Sequence, residues 1–281
     1  MFSRTLYRSV LIVVMLALGT AGFAGVVSAK NSNHGAHTFF KTVHKGQLTV
    51  GSDETYPPME SQNTTTGQAV GADVDLGKAI GKILKLKVVF KNVTFDSLIP
   101  DMLTRHPFDI IMSSMNDTPA RRGQGVAFVD YMKAVEAIVV NKSSKIHANG
   151  YSQMCGDSIA VESGTTEQAG LTAANSKCKK KIDIHQYPQD TLAWQAFEGG
   201  HTQAYTTDYP VAALYVKENK SKIRLAGKVI KTGQKYGIGM PKKQTGLYKA
   251  IHRALVKVYK SGQYLKILKR YNLQQGKIKI T

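Results

Sequence analysis

Phe108-Asp109-Ile110-Ile111-Met112-Ser113-Ser114-Met115-Asn116-Asp117-Thr118-Pro119-Ala120-Arg121 holds the step from which the rest of the chain can be read. Phe108 to Met112 is a short, mostly apolar run that reads as a buried strand. Thr118-Pro119 opens a helix, because Thr is a good cap and Pro suits the first helical position. Arg121 then stands just inside a helix start. There its planar guanidinium can offer a two-pronged donor to a carboxylate, and the free backbone N–H groups of the helix end add to the attraction. Taken locally, Arg121-Arg122 also reads as a solvated basic pair.

The same alternation extends outward in both directions. On the N-terminal side, Leu48 to Gly51 reads as a strand ending in the Tyr56-Pro57-Pro58 turn. Leu76, Ile80, Ile83 and Leu84 recur at helical spacing, Lys87 to Val93 is a strand, and Phe95, Leu98, Ile99 and Met102 form the next apolar helix face. After an extended segment, Tyr131 to Val140, the pattern restarts. Ile159 to Glu162 is a strand, Thr166 to Asn175 a helix and Ile182 to His185 a strand; Leu192, Ala196 and Phe197 lie on a helix face, and Ala204 to Thr207 is a strand. Tyr236 to Met240 is a further strand, followed by helices bearing Leu247, Ile251, Leu255 and Val258, then Tyr264, Ile267 and Leu268. This tail is expected to return to the first unit. Short β-rich runs alternating with helices predict an α/β fold with a parallel or mixed sheet.

The start of the chain bears on compartment. Arg4 and Arg8 precede an apolar run from Val10 to Leu18, and a small-residue stretch leads to Val27-Ser28-Ala29. Residues 1–29 therefore read as a secretory signal peptide cleaved after Ala29. The apolar centre is far shorter than the ~20 residues of a spanning helix. No Cys lies near the cleavage point, so the expectation is a soluble periplasmic protein without a lipid anchor. Residues 30–45 form a polar leader carrying His34, His37 and His44. The formal charge of +19 admits nucleic acid, anionic lipid or acidic substrates as partners. Export makes nucleic acid a poor partner, and the scattered Lys residues read as a solvated basic surface. Cys155 and Cys178 are the two cysteines, which in an exported chain suggests a disulfide. A metal site there lacks suitable neighbours.

Several motifs then fall in order. Gly51-Ser52-Asp53-Glu54-Thr55-Tyr56-Pro57-Pro58-Met59, Gly71-Ala72-Asp73-Val74-Asp75-Leu76, Phe95-Asp96-Ser97-Leu98-Ile99-Pro100 and Asp109 to Arg121 come first. Phe128-Val129-Asp130-Tyr131, Glu162-Ser163-Gly164-Thr165-Thr166 and Thr207-Asp208 follow. Together they resemble the extracellular solute-binding proteins of family 3, the polar amino-acid receptors of ABC importers, over about Gln47 to Leu273. Each motif alone is loose; their order is specific.

The resemblance implies a type II periplasmic-binding-protein fold: two α/β lobes, two hinge crossovers and a ligand cleft between them. Lobe 1 would comprise residues 46–132 plus 233–275 and lobe 2 residues 137–231, with 276–281 as a tail. It implies a monomeric receptor, not an enzyme, that needs no cofactor and no metal and hands a free amino acid to importer membrane subunits. Arg121 would hold the ligand carboxylate. Asp208 would hold the ammonium, or else cap the helix that begins at Tyr209-Pro210. Ser114 and Asn116 would complete a polar cradle, although family members often carry Ser or Thr where Asn116 stands. Thr166 would add a hydroxyl and an N–H from lobe 2. Tyr56 and Phe95 would sandwich the aliphatic stem, or else pack as ordinary core.

Asp53, Glu162 and Glu167 add possible carboxylates. Acids lining a closed cleft point to a cationic guest such as lysine, arginine, ornithine or histidine, with glutamine next. The competing reading turns Glu167 to solvent and pairs Glu162 with a local Lys. An enzyme of the cyclohexadienyl dehydratase type, on the same scaffold, is the alternative function.

Overall fold

The computed structural model describes residues 40–281. The expected signal peptide and the leader residues His34 and His37 lie outside the described residues. From its first strand the chain runs β1 (Gln47–Ser52), β2 (Thr55–Tyr56), β3 (Glu60–Gln62), β4 (Ala69–Val70), α1 (Ala72–Leu84), β5 (Lys87–Asn92), α2 (Phe95–Thr104), β6 (Ile110–Ile111), α3 (Pro119–Gly123) and β7 (Val126–Lys133). It continues with β8 (Glu136–Asn141), β9 (Ser158–Glu162), α4 (Thr166–Asn175), β10 (Asp183–Tyr187), α5 (Asp190–Glu198), β11 (Ala204–Asp208), α6 (Tyr209–Glu218) and β12 (Ile223–Leu225). It closes with β13 (Lys235–Pro241), α7 (Thr245–Lys260) and α8 (Gln263–Arg270).

Two five-stranded sheets result, ordered β5-β1-β6-β13-β7 and β10-β9-β11-β8-β12. In the first, β1 runs parallel to β5 and β6, and β13 returns antiparallel between β6 and β7. In the second, β9 is parallel to β10 and β11, and β8 is antiparallel to β11 and β12. Each sheet thus receives its fourth strand from a segment that has just crossed between the halves. The two crossovers also hold one another: Ala134 N–H donates to the Gln234 carbonyl (3.1 Å), and Glu136 and Ile230 exchange bonds of 3.1 and 2.8 Å.

The cores follow from side-chain periodicity. Along β8, Ile138 and Val140 enter one cluster with Ile159, Val161 and Leu171, while Ala137 and Val139 enter another with Phe197 and Tyr205. Alternate residues of one strand feed opposite faces, so this sheet is covered on both sides. In the first half, Leu48, Val50 and Ile110 pack with Leu76, Ile80, Leu247, Ile251 and Leu255 from the covering helices. The C-terminal helices do return to the first sheet. Two expected apolar positions differ: Ile83 and Leu192 are exposed, and Ala193 takes the buried place on α5. The strand expected over Phe108 to Met112 shortens to Ile110–Ile111, though all its apolar residues are buried. A small sheet, β2-β3-β4, forms beyond β1, where the sequence showed only a turn.

Cys155 and Cys178 form a disulfide, with Cα atoms 5.4 Å apart and 23 residues of separation. It ties the short turn before β9 to the end of α4. A loop of this length restricts the unfolded chain by about 3 kcal/mol. Replacing both cysteines by serine is expected to lower the unfolding free energy by about that amount in a denaturant titration. An unchanged midpoint would show that the bridge constrains nothing the fold does not already fix.

Candidate ligand cleft

The carboxyl ends of β1, β6, β9 and β11 point to one region, where open α/β sheets generally present their ligand sites. Arg121 arrives there on α3. Thr118 caps this helix by accepting from the Arg121 N–H at 3.2 Å, and Pro119 occupies its first turn. The preceding loop is pinned to β13: Asp117 N–H donates to the Lys235 carbonyl at 2.8 Å, and Gly237 N–H to the Met115 carbonyl at 2.9 Å. The Arg121 guanidinium is buried. It donates to the Asn116 carbonyl (2.9 Å) and, across to the second half, to the Gly164 carbonyl (3.1 Å). Its Cζ lies 5.2 Å from the centre of the Phe95 ring, within cation–π range. Burial lowers its pKa to about 10, opposed by the nearby Glu167 and Asp208, so it stays charged at neutral pH.

Carboxylates dominate everything around it. Asp53, at the end of β1, accepts from the Thr55 hydroxyl (2.7 Å) and the Phe95 N–H (2.9 Å), so it also caps α2. Glu162, at the end of β9, receives the Tyr56 hydroxyl and lies beside Asp53. Asp190, the first residue of α5, receives the Tyr205 hydroxyl. Glu136 accepts from the Tyr151 hydroxyl at 2.7 Å, and Glu167 from the Thr166 hydroxyl at 3.2 Å. Asp208 ends β11 and stands at the N-cap of α6, but its side chain does not cap that helix. Behind the Ser113-Ser114 turn lie Glu60 and Asp73, the latter receiving the Ser114 N–H (3.1 Å) and the Tyr131 hydroxyl (2.6 Å).

Ten acids are buried among the described residues of this basic chain: Asp53, Glu54, Glu60, Asp73, Asp109, Glu136, Glu162, Glu167, Asp190 and Asp208. Among the described residues Arg121 is the single buried Lys or Arg. The positive surface and the acidic interior are therefore separate. Burial raises the pKa of the cleft carboxyls first, and their mutual repulsion raises several of them further. Asp73 reaches about 6 and Asp190 about 7. Among the described residues four carboxylate oxygens are buried with no hydrogen-bond donor: Glu162 Oε1, Glu167 Oε1 and Asp208 Oδ1 in this region, and Asp130 Oδ1 on β7.

The structure brings Asp53, Tyr56, Phe95, Arg121, Glu162 and Asp208 into this region. Tyr56 and Phe95 sit with ring centres 6.0 Å apart, tilted by 46°. Thr166 is half-buried at the start of α4. Ser114 spends its N–H on Asp73 and its hydroxyl on Glu60, and adopts a positive φ of 44° to do so. The Asn116 amide donates to Gln234 at 2.8 Å, so the part of Asn116 that meets Arg121 is its carbonyl. Two readings fail. Glu167 is buried rather than turned to solvent, and Glu162 meets Tyr56 and Asp53 rather than a lysine.

Sequence reading missed Glu60, Glu136 and Asp190, and gave Asp73 no role. Glu136 did leave a signal: it is the lone acid in the apolar run Val135-Glu136-Ala137-Ile138-Val139-Val140. The halves also meet at Gly164, whose φ is +79°. A Cβ there would stand 2.9 Å from the Asp96 Cβ and 3.0 Å from its Cα, so only glycine fits.

Two α/β halves joined by paired crossovers, with polar side chains converging between them, define a two-lobe periplasmic binding protein. The chain belongs to the bacterial extracellular solute-binding proteins, family 3, which it matches over residues 48–274. It is 30% identical to the histidine-binding periplasmic protein of Escherichia coli K12, over 80% of this chain and 86% of that one. Its fold is similar to an ancestral arginine-binding protein bound to arginine (TM-score 0.75, 31% identity, 81% of this chain and 98% of that one). It is also similar to an ancestral amino acid-binding protein described as a precursor of cyclohexadienyl dehydratase (TM-score 0.70, 30% identity, 80% and 95%).

Asp190 offers a test of the acidic interior. Its raised pKa means that it holds its proton more tightly folded than unfolded. Its contribution to stability is therefore complete below the ordinary value of 3.8 and is lost as pH rises toward about 7. Asp190→Asn removes that loss. Denaturant unfolding of the ligand-free protein should show the parent's stability, relative to the variant's, falling between about pH 4 and pH 7. A difference independent of pH would mean that Asp190 is not buried as an acid.

Proposed function

We propose that this chain captures a free amino acid, preferentially one with a cationic side chain, and delivers it to an ABC importer by closure of its two lobes. The observation that carries this is the charge imbalance of the cleft: one buried guanidinium among many buried carboxylates. An acid buried without a partner is costly, so a guest that brings positive charge gains what the protein alone lacks. Arg121 supplies the donor fork for the guest's carboxylate, and Asp208, from the opposite half, accepts from its ammonium. Tyr56 and Phe95 supply apolar surface for the stem. The histidine and arginine named for similar proteins agree with a cationic guest, and glutamine is the next candidate.

The halves that close are residues 46–132 with 233–275, and residues 137–231. A ligand touching both favours the closed arrangement through contacts it makes only there. Micromolar capture requires about 8 kcal/mol. A few charge-assisted hydrogen bonds of about 1.5–3 kcal/mol each, with burial of the stem, supply it. Export through the signal peptide 1–29 places the protein in the periplasm, where it acts as a soluble monomer without lipid anchor, metal or cofactor.

A second reading, a dehydratase of the cyclohexadienyl dehydratase type, draws on Glu162 and Glu167, whose pKa burial raises, since elimination needs a positioned acid. A thermal-shift panel of the common amino acids separates the two. Arginine, lysine, ornithine or histidine is expected to raise the melting point by mass action, and Arg121→Ala to abolish the rise while still melting cooperatively. The same preparation is expected to form no aromatic product from prephenate or arogenate. A shift given mainly by acidic amino acids, or turnover of either cyclohexadienyl acid, would reverse the assignment.

A further inference from the structure

The positive charge of this chain is not spread evenly along it. After Glu218 come seventeen Lys and Arg and no Asp or Glu, up to Thr281. The fold gathers much of that excess onto one layer, because α7 and α8 pack against each other and both pack against α1. Along α7, Leu247, Ile251, Leu255 and Val258 are buried, and Lys249, Arg253, Lys257 and Lys260 form the opposite, exposed stripe. Their spacing of four, four and three residues keeps the charges on one face over about 17 Å. The first helix repeats the plan: α1 buries Leu76, Ala79 and Ile80 and exposes Lys78, Lys82 and Lys85. Lys266 and Lys269 extend the layer on α8. Packed helices lie about 8–10 Å apart, within the Debye length of about 10 Å at 0.1 M salt, so their charges act together. Asp75 is the only acid of these three helices that is not buried, and Arg270 already holds it at 2.6 Å. Among the described residues, no other Lys or Arg of the layer has an ion-pair partner.

We propose that this helix layer is a membrane-docking face, which seats the first half of the protein on an anionic phospholipid bilayer. Charge complementarity carries the proposal. A broad patch of unanswered cations suits a surface of phosphate groups, whereas a small anion would engage only a few of them. Two apolar side chains favour a bilayer over a dissolved polyanion. Ile83 and Tyr248 are the exposed large apolar residues of these helices, and each borders a cationic stripe. Ile83 stands between Lys82 and Lys85. Tyr248 precedes Lys249 and stacks on His252, with ring centres 6.3 Å apart. A headgroup region accepts such groups, Tyr in particular, beside Lys and Arg, and it also covers the aliphatic stems of the lysines. A dissolved chain of phosphates offers these apolar groups nothing. Arg121, Glu162 and Asp208 lie on other elements, so the docking face and the cleft are separate surfaces. Attraction of this kind is screened by salt, which makes the attachment reversible.

Co-sedimentation of the mature protein with lipid vesicles tests this. Vesicles of phosphatidylglycerol and phosphatidylcholine in equal parts should bind the parent at low salt, and vesicles of phosphatidylcholine alone should not. Raising the salt from about 0.01 M to about 1 M shortens the Debye length from about 30 Å to about 3 Å and should release the protein. A quadruple variant carrying Lys249→Gln, Arg253→Gln, Lys257→Gln and Lys260→Gln keeps good helix formers on α7. At about fivefold per charge beside an anionic surface, it should bind the mixed vesicles about a hundredfold more weakly or worse. Lys78→Gln with Lys82→Gln, on α1, should cost about tenfold, so the result does not depend on how one altered helix folds. The control removes equal charge from the second half, by Lys177→Gln, Lys179→Gln, Lys180→Gln and Lys181→Gln, and should lose no more than about fivefold. Tyr248→Ser should weaken vesicle binding by about threefold and leave any binding of soluble polyphosphate unchanged. No binding of the parent to the mixed vesicles would overturn the proposal, and so would equal losses in the two quadruple variants. Polyphosphate bound as tightly as the vesicles, with Tyr248→Ser silent on both, would assign the face to a soluble polyanion instead.

Discussion

Burying many carboxylates around one guanidinium is the constraint that organises this protein. The chain as a whole is strongly basic, yet the cleft concentrates negative charge. Water stabilises ionised carboxylates far better than a protein interior does, so the closed cleft favours protonated acids or a positive guest. The hydroxyls of Tyr56, Tyr131, Tyr151 and Tyr205 each donate to one of these acids. Such donors reduce the cost without cancelling the charge. Closure is therefore inherently coupled to what occupies the cleft.

The fold supplies this arrangement by repeating one sheet plan twice. In each half the strands that deliver the acids run parallel and end on the same side, so Asp53, Glu162 and Asp208 come from strand ends and need no long loop to reach the centre. The crossover strands are hydrogen-bonded to one another, which keeps the two halves in register while allowing them to approach. Contacts between the halves include Arg121 to the Gly164 carbonyl, Tyr56 to Glu162, and Gly164 against the start of α2. Two of these use groups that also face the ligand region. The surfaces that sense the guest are thus the surfaces that hold the halves together.

Much of this was legible in the sequence. Strand ends followed by capped helices, as at Thr118-Pro119, announce themselves locally, and the restart of the alternation after Val140 marks a second unit. Arg121, Asp53 and Asp208 stand out because the order of motifs gives them context that their neighbours lack. What stayed hidden depends on long-range burial. Ser114 and Asn116 look like ligand residues by position, but their donors are taken by Asp73, Glu60 and Gln234, which are remote in sequence. Glu167 lies in the first turn of a helix, where an acid is usually solvated, and only the packing of the second half buries it. Ile83 and Leu192 fit helical periodicity yet face out, since the stripe that a helix buries is set by the sheet it meets.

A guest with positive charge is expected to join Arg121 on one half to the acids of the other. The most direct measurement is a crystal structure of the mature protein grown with saturating arginine. The guest's carboxylate is expected on the Arg121 guanidinium, its α-ammonium against Asp208, and its stem between Tyr56 and Phe95. A guest whose carboxylate lies away from Arg121, or a cleft in which the buried acids face no positive group of the guest, would contradict it.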